Sequence, residues 1–327
     1  MTNIISSFRT KKNAPKVLVS LLILALIVYF SISYYALYKI VHPKPKPLMV
    51  SPVEISQQYE DISFKSQKGN IKISGWLFRA NSSDKQSFSA NKPSFSSNKQ
   101  SLASEKTIIL VSGSDQNRID PGYGTVNVAK DLLKKGYNVL IFDFRGRGNS
   151  DYAIHTIGYF EKYDLAAAYD YLVDRGYNPH KIGILSISLG AGATIFALPL
   201  IPDVGGVVID SPYSDVHTLI TRELPSRSGL PKQFSWGISF WAKVLYKVSF
   251  DDMVPKNVIA TYPDKKFLFI YGTKDNLFPI DDTIDLLKVS PKSELWLVPE
   301  AGHVKGYQTN PQAYINKVTT YFEEQLR

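Results

Sequence analysis

The chain contains no cysteine in 327 residues. That absence excludes disulfide staples, thiolate metal sites and a cysteine nucleophile. Histidine is almost as scarce: His42, His155, His180, His217 and His303 are all there are, and none stands at the short spacing of zinc ligands. The sequence therefore predicts no metal and no cofactor. Acidic residues are missing from the first 50 positions, which hold Arg9, Lys11, Lys12, Lys16, Lys39, Lys44 and Lys46. Those seven cations carry most of the formal charge of +9 and leave only +2 for the rest of the chain. A nucleic-acid surface needs Lys and Arg clustered on the folded domain, and no such cluster follows residue 50, so no nucleic-acid partner is expected.

Charge of either sign is absent from residues 17 to 38, a run of 22 positions between Lys16 and Lys39. As a helix it would be about 33 Å long, enough for a bilayer core of about 30 Å. Tyr29, Tyr34, Tyr35 and Tyr38 crowd its distal end, where amphipathic rings favour the membrane interface. A buried core helix and a cleaved signal peptide are the rivals. The second is disfavoured by the length of the run and by the lack of a small-x-small site after it. Four basic residues precede the run and three follow, which favours the N-terminus inside and the domain outside the membrane. The expected division is a basic tail at 1 to 16, a single transmembrane helix at 17 to 38, a Pro-containing spacer at 39 to 51 and one domain at 52 to 327. Nothing in the sequence fixes an oligomeric state.

Within the domain, residues 59 to 66 and 70 to 79 alternate apolar and polar around Lys68-Gly69, as a β-hairpin does. Residues 85 to 105 repeat a seven-residue unit with one apolar position each, Phe88, Phe95 and Leu102. A coiled-coil seam needs two per heptad, so the serine richness points to a disordered insertion. From Lys106 the pattern becomes regular. Short, continuously apolar runs at 107 to 113, 137 to 144, 182 to 188, 205 to 211, 266 to 272 and 293 to 299 read as strands covered on both faces. Helical periodicity near 125 to 135, 159 to 175, 189 to 200, 281 to 290 and 311 to 326 fills the intervals. This alternation predicts an α/β fold with a mainly parallel sheet, whose ligands sit at the carboxyl ends of the strands. Residues 213 to 262 break the rhythm. Phe234, Ile238, Trp241, Leu245 and Val248 form a stripe there, which would either pack on the body or line a cap suited to an acyl or aromatic group.

The sharpest local signal is Ser186-Ile187-Ser188-Leu189-Gly190, between the run ending at 188 and the helix near 189 to 200. A tight strand-turn-helix elbow demands small residues two positions either side of a serine nucleophile, and Ser186 and Gly190 meet the demand. The plainer alternative is a serine N-cap followed by small packing residues. Serine needs a base to become a nucleophile. His303, on the glycine-preceded loop after the last strand, is placed to be that base, while the other four histidines read as structural or solvated. Asp275, just past the run ending at 272, would accept a hydrogen bond from the imidazole and fix its tautomer. Asp281 and Asp282 are better explained as acids in a helix's first turn. The oxyanion donors expected are the backbone N–H groups of Leu189 and Ser114.

From about Tyr59 to its end the chain resembles the α/β-hydrolase superfamily. It looks most like bacterial membrane-anchored serine hydrolases of the serine-aminopeptidase-like and prolyl-oligopeptidase-like groups. The stretches that carry the resemblance lie around Ser112-Gly113, Arg145-Gly146-Arg147-Gly148, Ser188, Asp275 and His303. The resemblance implies about eight strands with helices on both faces and a structural loop at Arg145, Gly146 and Gly148 that buttresses the elbow. One departure is Ser112-Gly113, where the family usually has His-Gly. The expected activity is hydrolysis of a carboxylic ester or thioester through an acyl-enzyme, on a small-molecule or lipid-like acyl substrate. Peptide or amide cleavage uses the same three residues, and a non-catalytic membrane-anchored binding module is the alternative from another class. Branches of the fold that attack through aspartate are excluded by serine at 188.

Overall fold

The computed structural model describes residues 2 to 42, 44 to 80, 102, 105 to 113 and 116 to 327, with side chains described from residue 15. They form two compact units, one of residues 42 to 216 and 253 to 327, the other of residues 1 to 41 and 217 to 252.

The larger unit is built on one eight-stranded sheet. Its strands are β1 (Tyr59–Lys65), β2 (Lys72–Phe78), β3 (Thr107–Val111), β4 (Asn138–Phe142), β5 (Ile182–Ile187), β6 (Gly206–Asp210), β7 (Phe267–Gly272) and β8 (Glu294–Val298). They lie in the order β1-β2-β4-β3-β5-β6-β7-β8. The β1–β2 hairpin and the β2–β4 pair are antiparallel, and every later pairing is parallel. Every residue of β3 to β7 is buried, which is why these strands read as unbroken apolar runs in the sequence rather than alternating ones.

Helices cover both faces, as expected. On one face α3 (Glu161–Asp174), α4 (Leu189–Ala197) and α8 (Ile280–Lys288) pack Leu165, Leu172, Ala193 and Leu286 against Ile109, Ile184, Val207 and Phe269. On the other, α2 (Thr125–Lys134) and α10 (Pro311–Gln325) pack Val128, Leu132, Val318 and Phe322 against Ile108, Leu185, Val208 and Leu268. The pleat sends alternate residues to opposite sides, so neighbours such as Ile108 and Ile109 serve different cores. The chain leaves β3 for β4 on one side and reaches β5 on the other. The carboxyl ends of β3 and β5 therefore flank the switch point at which an open α/β sheet forms its crevice.

The Ser-rich stretch and the Pro-containing spacer both have described contacts with this unit. Leu102, in the Ser-rich stretch at 85 to 105, is buried in the core, and Glu105 accepts a hydrogen bond from Asn138 at 2.6 Å. The other residues of the stretch up to 104 lie outside the described residues. In the spacer at 39 to 51, the carbonyls of Lys46 and Pro47 accept from Asn117 at 3.3 and 2.9 Å, while Leu48 and Val50 pack against the α2/α10 core.

The smaller unit consists of α1 (Thr2–Val41), α5 (Val216–Ser228, from residue 217) and α6 (Phe234–Tyr246). The part of α1 from Pro15 to Val41 is long and apolar enough to cross a membrane, its most apolar 18 residues having a mean hydropathy of 2.5. α5 was not legible as a helix: it carries Pro225 and no marked apolar face. The apolar stripe at 234 to 248 does form a helix, α6, but it stops at Tyr246 because Lys247 turns into the left-handed region at φ 58°. Two short helices in the larger unit, α7 (Pro255–Ile259) and α9 (Gly306–Thr309), are too brief to leave a periodic signal.

Candidate active site

Ser188 occupies the single step between β5 and α4. Its backbone is strained, with φ 51° and ψ −118°, a region that non-glycine residues rarely enter. The turn is held by the Ser188 N–H, which donates to the Asp210 carbonyl at 2.9 Å. The demand for small flanking residues has a visible cause. A Cβ at Gly190 would lie 2.4 Å from the Ser112 carbonyl oxygen and 2.8 Å from that of Val111, so any side chain there would collide with the end of β3. At the other flank Ser186 is fully buried and donates its hydroxyl to the Val208 carbonyl at 3.2 Å.

The three residues singled out in the sequence converge. Ser188 Oγ lies 2.9 Å from His303 Nε2, and His303 Nδ1 lies 2.8 Å from Asp275 Oδ2. They are 115 and 28 positions apart along the chain. The Asp275 side chain is wholly buried, while that of His303 is 18% exposed, so the imidazole is the member that meets the outside. Asp275 Oδ1 accepts the N–H groups of Leu277 and Phe278, both at 2.9 Å. With one oxygen held by the backbone, the other is fixed in direction toward the ring. Phe278 packs edge-on against His303, ring centres 4.6 Å apart. The loop bearing His303 can lie across the end of β7 because Gly272 has no side chain; a Cβ there would be 2.4 Å from the Ala301 carbonyl.

Of the two residues expected to give backbone donors, Leu189 is the first residue of α4 and is buried beside the serine. Ser114 lies outside the described residues. The preceding Gly113 is close to the elbow: a Cβ built on it would stand 3.4 Å from Ser188 Cβ.

Several supporting residues were not anticipated. Arg145, expected in a loop that supports the elbow, ties the loop after β4 to Asp164 by bidentate bonds at 2.7 to 3.1 Å and to Ser66. The residue that reaches the site is Arg147, whose Nη1 donates to the Gly113 carbonyl at 2.7 Å. Its Nη2 meets the ring of His155, which is paired at 2.6 Å with the buried Glu161. Burial works to raise the Glu161 carboxyl, but His155, the Thr156 N–H and Arg147 together hold it well below the usual carboxylate range. Asp281 and Asp282 do sit in the first turn of α8, and Asp282 also accepts the Ser214 hydroxyl at 2.8 Å. No signal in the sequence distinguishes Arg147 from Arg145, since both stand in the same glycine-rich loop.

Beneath the histidine loop lies a second carboxyl. Ser211 donates to Asp210 Oδ1 at 2.9 Å and accepts the Val304 N–H at 3.2 Å, next to His303. Tyr314 donates to Asp210 Oδ2 at 2.8 Å. Burial pushes the Asp210 carboxyl up to about 6, against these two bonds. The folded state thus holds the proton more tightly than the unfolded chain. The resulting stability is fully present below about pH 4 and is lost as pH rises through about 6, a difference of about 3 kcal/mol. Asp210→Asn is expected to flatten this dependence, measured as urea midpoints from pH 4 to 7. Parallel profiles for the two proteins would show that Asp210 does not titrate there.

A family model described as serine aminopeptidase, S33, matches residues 122–266. Two bacterial relatives, each called an uncharacterized protein, are similar in sequence. YqkD of Bacillus subtilis is 28% identical over 213 residues, covering 61% of this chain and 68% of its own. YfhR of Escherichia coli O157:H7 is 22% identical over 307 residues, covering 90% and 89%. Among solved structures, the Pyrococcus furiosus esterase Pf2001 superposes with a TM-score of 0.67 at 26% identity, over 88% of this chain and all of that one. The α/β hydrolase GrgF of Penicillium sp. sh18 gives 0.60 at 15% identity, over 82% and 99%, a likeness of fold alone.

Proposed function

We propose that this chain, an α/β-hydrolase by fold, is a serine hydrolase acting on carboxylic esters or thioesters through an acyl-enzyme. The observation that carries the reading is the unbroken hydrogen-bonded line from Ser188 Oγ through both ring nitrogens of His303 to Asp275. The likeness to an esterase at 26% identity supports ester chemistry over peptide cleavage, which the S33 model alone would equally accommodate.

In the proposed cycle Ser188 Oγ attacks the substrate carbonyl carbon while His303 Nε2 takes its proton. Asp275 keeps the other ring proton on Nδ1 and stabilises the imidazolium that forms. The carbonyl π pair moves onto oxygen, and the N–H groups of Leu189 and Ser114 receive the oxyanion. Arg147 holds the Gly113 carbonyl, beside the serine, at 2.7 Å and so steadies the described end of that loop. His303 then protonates the departing alcohol or thiol, the tetrahedral centre collapses to the acyl-serine, and water repeats the sequence to release the acid. A small-molecule or lipid-like acyl substrate fits this scheme. We further assign α1 as a single-pass anchor with the catalytic unit on the extracytoplasmic side, supported by its length and apolarity and by the excess of basic residues before it.

Labelling of the full chain by a fluorophosphonate probe tests the reading. Wild type is expected to be labelled and to show a burst with an activated ester, and Ser188→Ala to lose both. Equal labelling of the two proteins, or ester turnover that survives the substitution, would falsify it. Turnover of peptides without turnover of esters would instead assign the same site to an amidase.

A further inference from the structure

Helix α6 carries large apolar side chains on its exposed face as well as on the face that packs on α1, an arrangement foreign to a helix in water. Trp236, Phe240 and Val244 are spaced four apart, so they form one stripe, and all three are exposed, Trp236 to 70%; Leu245 beside them is exposed too. Of its buried residues, Ser235, Gly237, Ser239 and Ala242 are small or polar, and Ile238 is the one large apolar side chain among them. A helix facing water places its large apolar side chains inward.

The contacts between α6 and α1 are of the kind that works without a hydrophobic driving force. Gly237 lies against Ser33, where a Cβ would be 2.2 Å from the hydroxyl oxygen, so the two backbones approach closely. Tyr29 donates to the Gln233 carbonyl at 2.8 Å and accepts the Gly237 N–H at 3.0 Å, which satisfies backbone groups in the first turn of α6. Trp241 donates its indole N–H to the Phe30 carbonyl at 2.8 Å. Tyr29 stacks on Phe234, and Phe30 packs against Phe240.

The place of these contacts along α1 fixes their depth. The uncharged run of 22 positions exceeds the roughly 20 residues that a bilayer core requires by only about two, so the helix has little room to slide. At 1.5 Å per residue, Tyr29 to Tyr34 lie about 6 to 14 Å inward from Tyr38. Residues packed against them share that depth. α6 itself, at 13 residues, reaches about 20 Å and is too short to span.

We propose that α6 is embedded in the same leaflet as the distal end of α1, its Trp236, Phe240 and Val244 stripe in contact with lipid acyl chains. The unit thus enters the membrane as a helix pair. Lys243 and Lys247 are exposed at the far end of α6, Lys247 turning back to donate to the Val244 carbonyl at 3.1 Å, and they supply positive charge for the headgroup side of the pair. The proposal rests on the reading of α1 as a membrane anchor.

The absence of native cysteine makes the test clean. Single cysteines are placed at Val244, at Phe240, at Leu24 in α1, and at Tyr152, an exposed residue of the larger unit, and each carries an environment-sensitive fluorophore. Each full chain is reconstituted in vesicles of phosphatidylcholine and phosphatidylglycerol. Quenching is then compared between a nitroxide on the lipid acyl chain and aqueous iodide. The labels of Val244→Cys and Phe240→Cys are expected to respond several-fold more to the lipid nitroxide than that of Tyr152→Cys, and less to iodide. Labels on α6 that respond to iodide while that of Leu24→Cys responds to lipid would overturn the proposal and leave the anchor standing. Labels shielded from both quenchers would also overturn it, in favour of a protein covering the stripe. An aqueous label at Leu24 would remove the anchor and the proposal together.

Discussion

Replacing His303 with alanine is expected to lower kcat on an activated ester by about 10⁴- to 10⁶-fold. The imidazole lies 2.9 Å from Ser188 Oγ, and in the proposed cycle its loss removes both the acceptor of the serine proton and the donor to the leaving group. Asp275→Asn is expected to cost about 10⁴-fold, because an amide can donate to Nδ1 and so select the wrong tautomer. In the proposed relay the three residues act as one unit, so the double variant Ser188→Ala/His303→Ala is expected to be hardly worse than either single one. Steady-state kinetics on the single and double variants, with circular dichroism to establish that the fold persists, measure this. Losses that multiply in the double variant would mean that the two side chains act independently and that the proposed relay does not exist.

Arg147→Met is expected to lower kcat by up to about 10² to 10³, the scale of one oxyanion-hole contact, because it frees the Gly113 carbonyl beside Ser188, with KM little changed. Its guanidinium binds the Gly113 carbonyl at 2.7 Å on one side and the His155 ring on the other. Methionine fills similar space but leaves the buried carbonyl without its donor, which should also cost about 1 to 3 kcal/mol of stability. Arg147→Lys is expected to restore no more than part of kcat, since an ammonium cannot reproduce the fork that serves both partners. The split between kcat and KM is the informative readout. A stability loss with wild-type kcat would make Arg147 a packing residue and nothing more.

The order of elements was legible because it follows from local rules. Strands buried on both faces must be apolar throughout, and the amphipathic helices between them must keep one polar face, so β3 to β7 and the helices around them appear directly in the residue pattern. Ser188, Asp275 and His303 were legible for a related reason: each sits just past the carboxyl end of an identifiable strand, and a parallel sheet brings all such ends to one edge. The strained turn at Ser188 was also written in the small residues beside it. α5 was not legible, since Pro225 and its weak amphipathicity give no periodic signal.

Arg147, Phe278 and Asp210 could not be ranked from the sequence, because their roles come from partners far along the chain. Nothing local tells which of two neighbouring arginines turns toward Gly113, or that Asp210 is buried beneath the histidine loop. The second, exposed apolar face of α6 was likewise hidden. Its apolar residues sit at ordinary helical spacing, and periodicity reports that a helix has a large apolar face without saying which way that face points. Local sequence thus determined which elements form and which loops carry chemistry, because those depend on short-range sterics and on burial averaged over an element. The tertiary structure alone decided which side chains meet and which faces remain uncovered, because these depend on directions that become defined only when distant segments pack together.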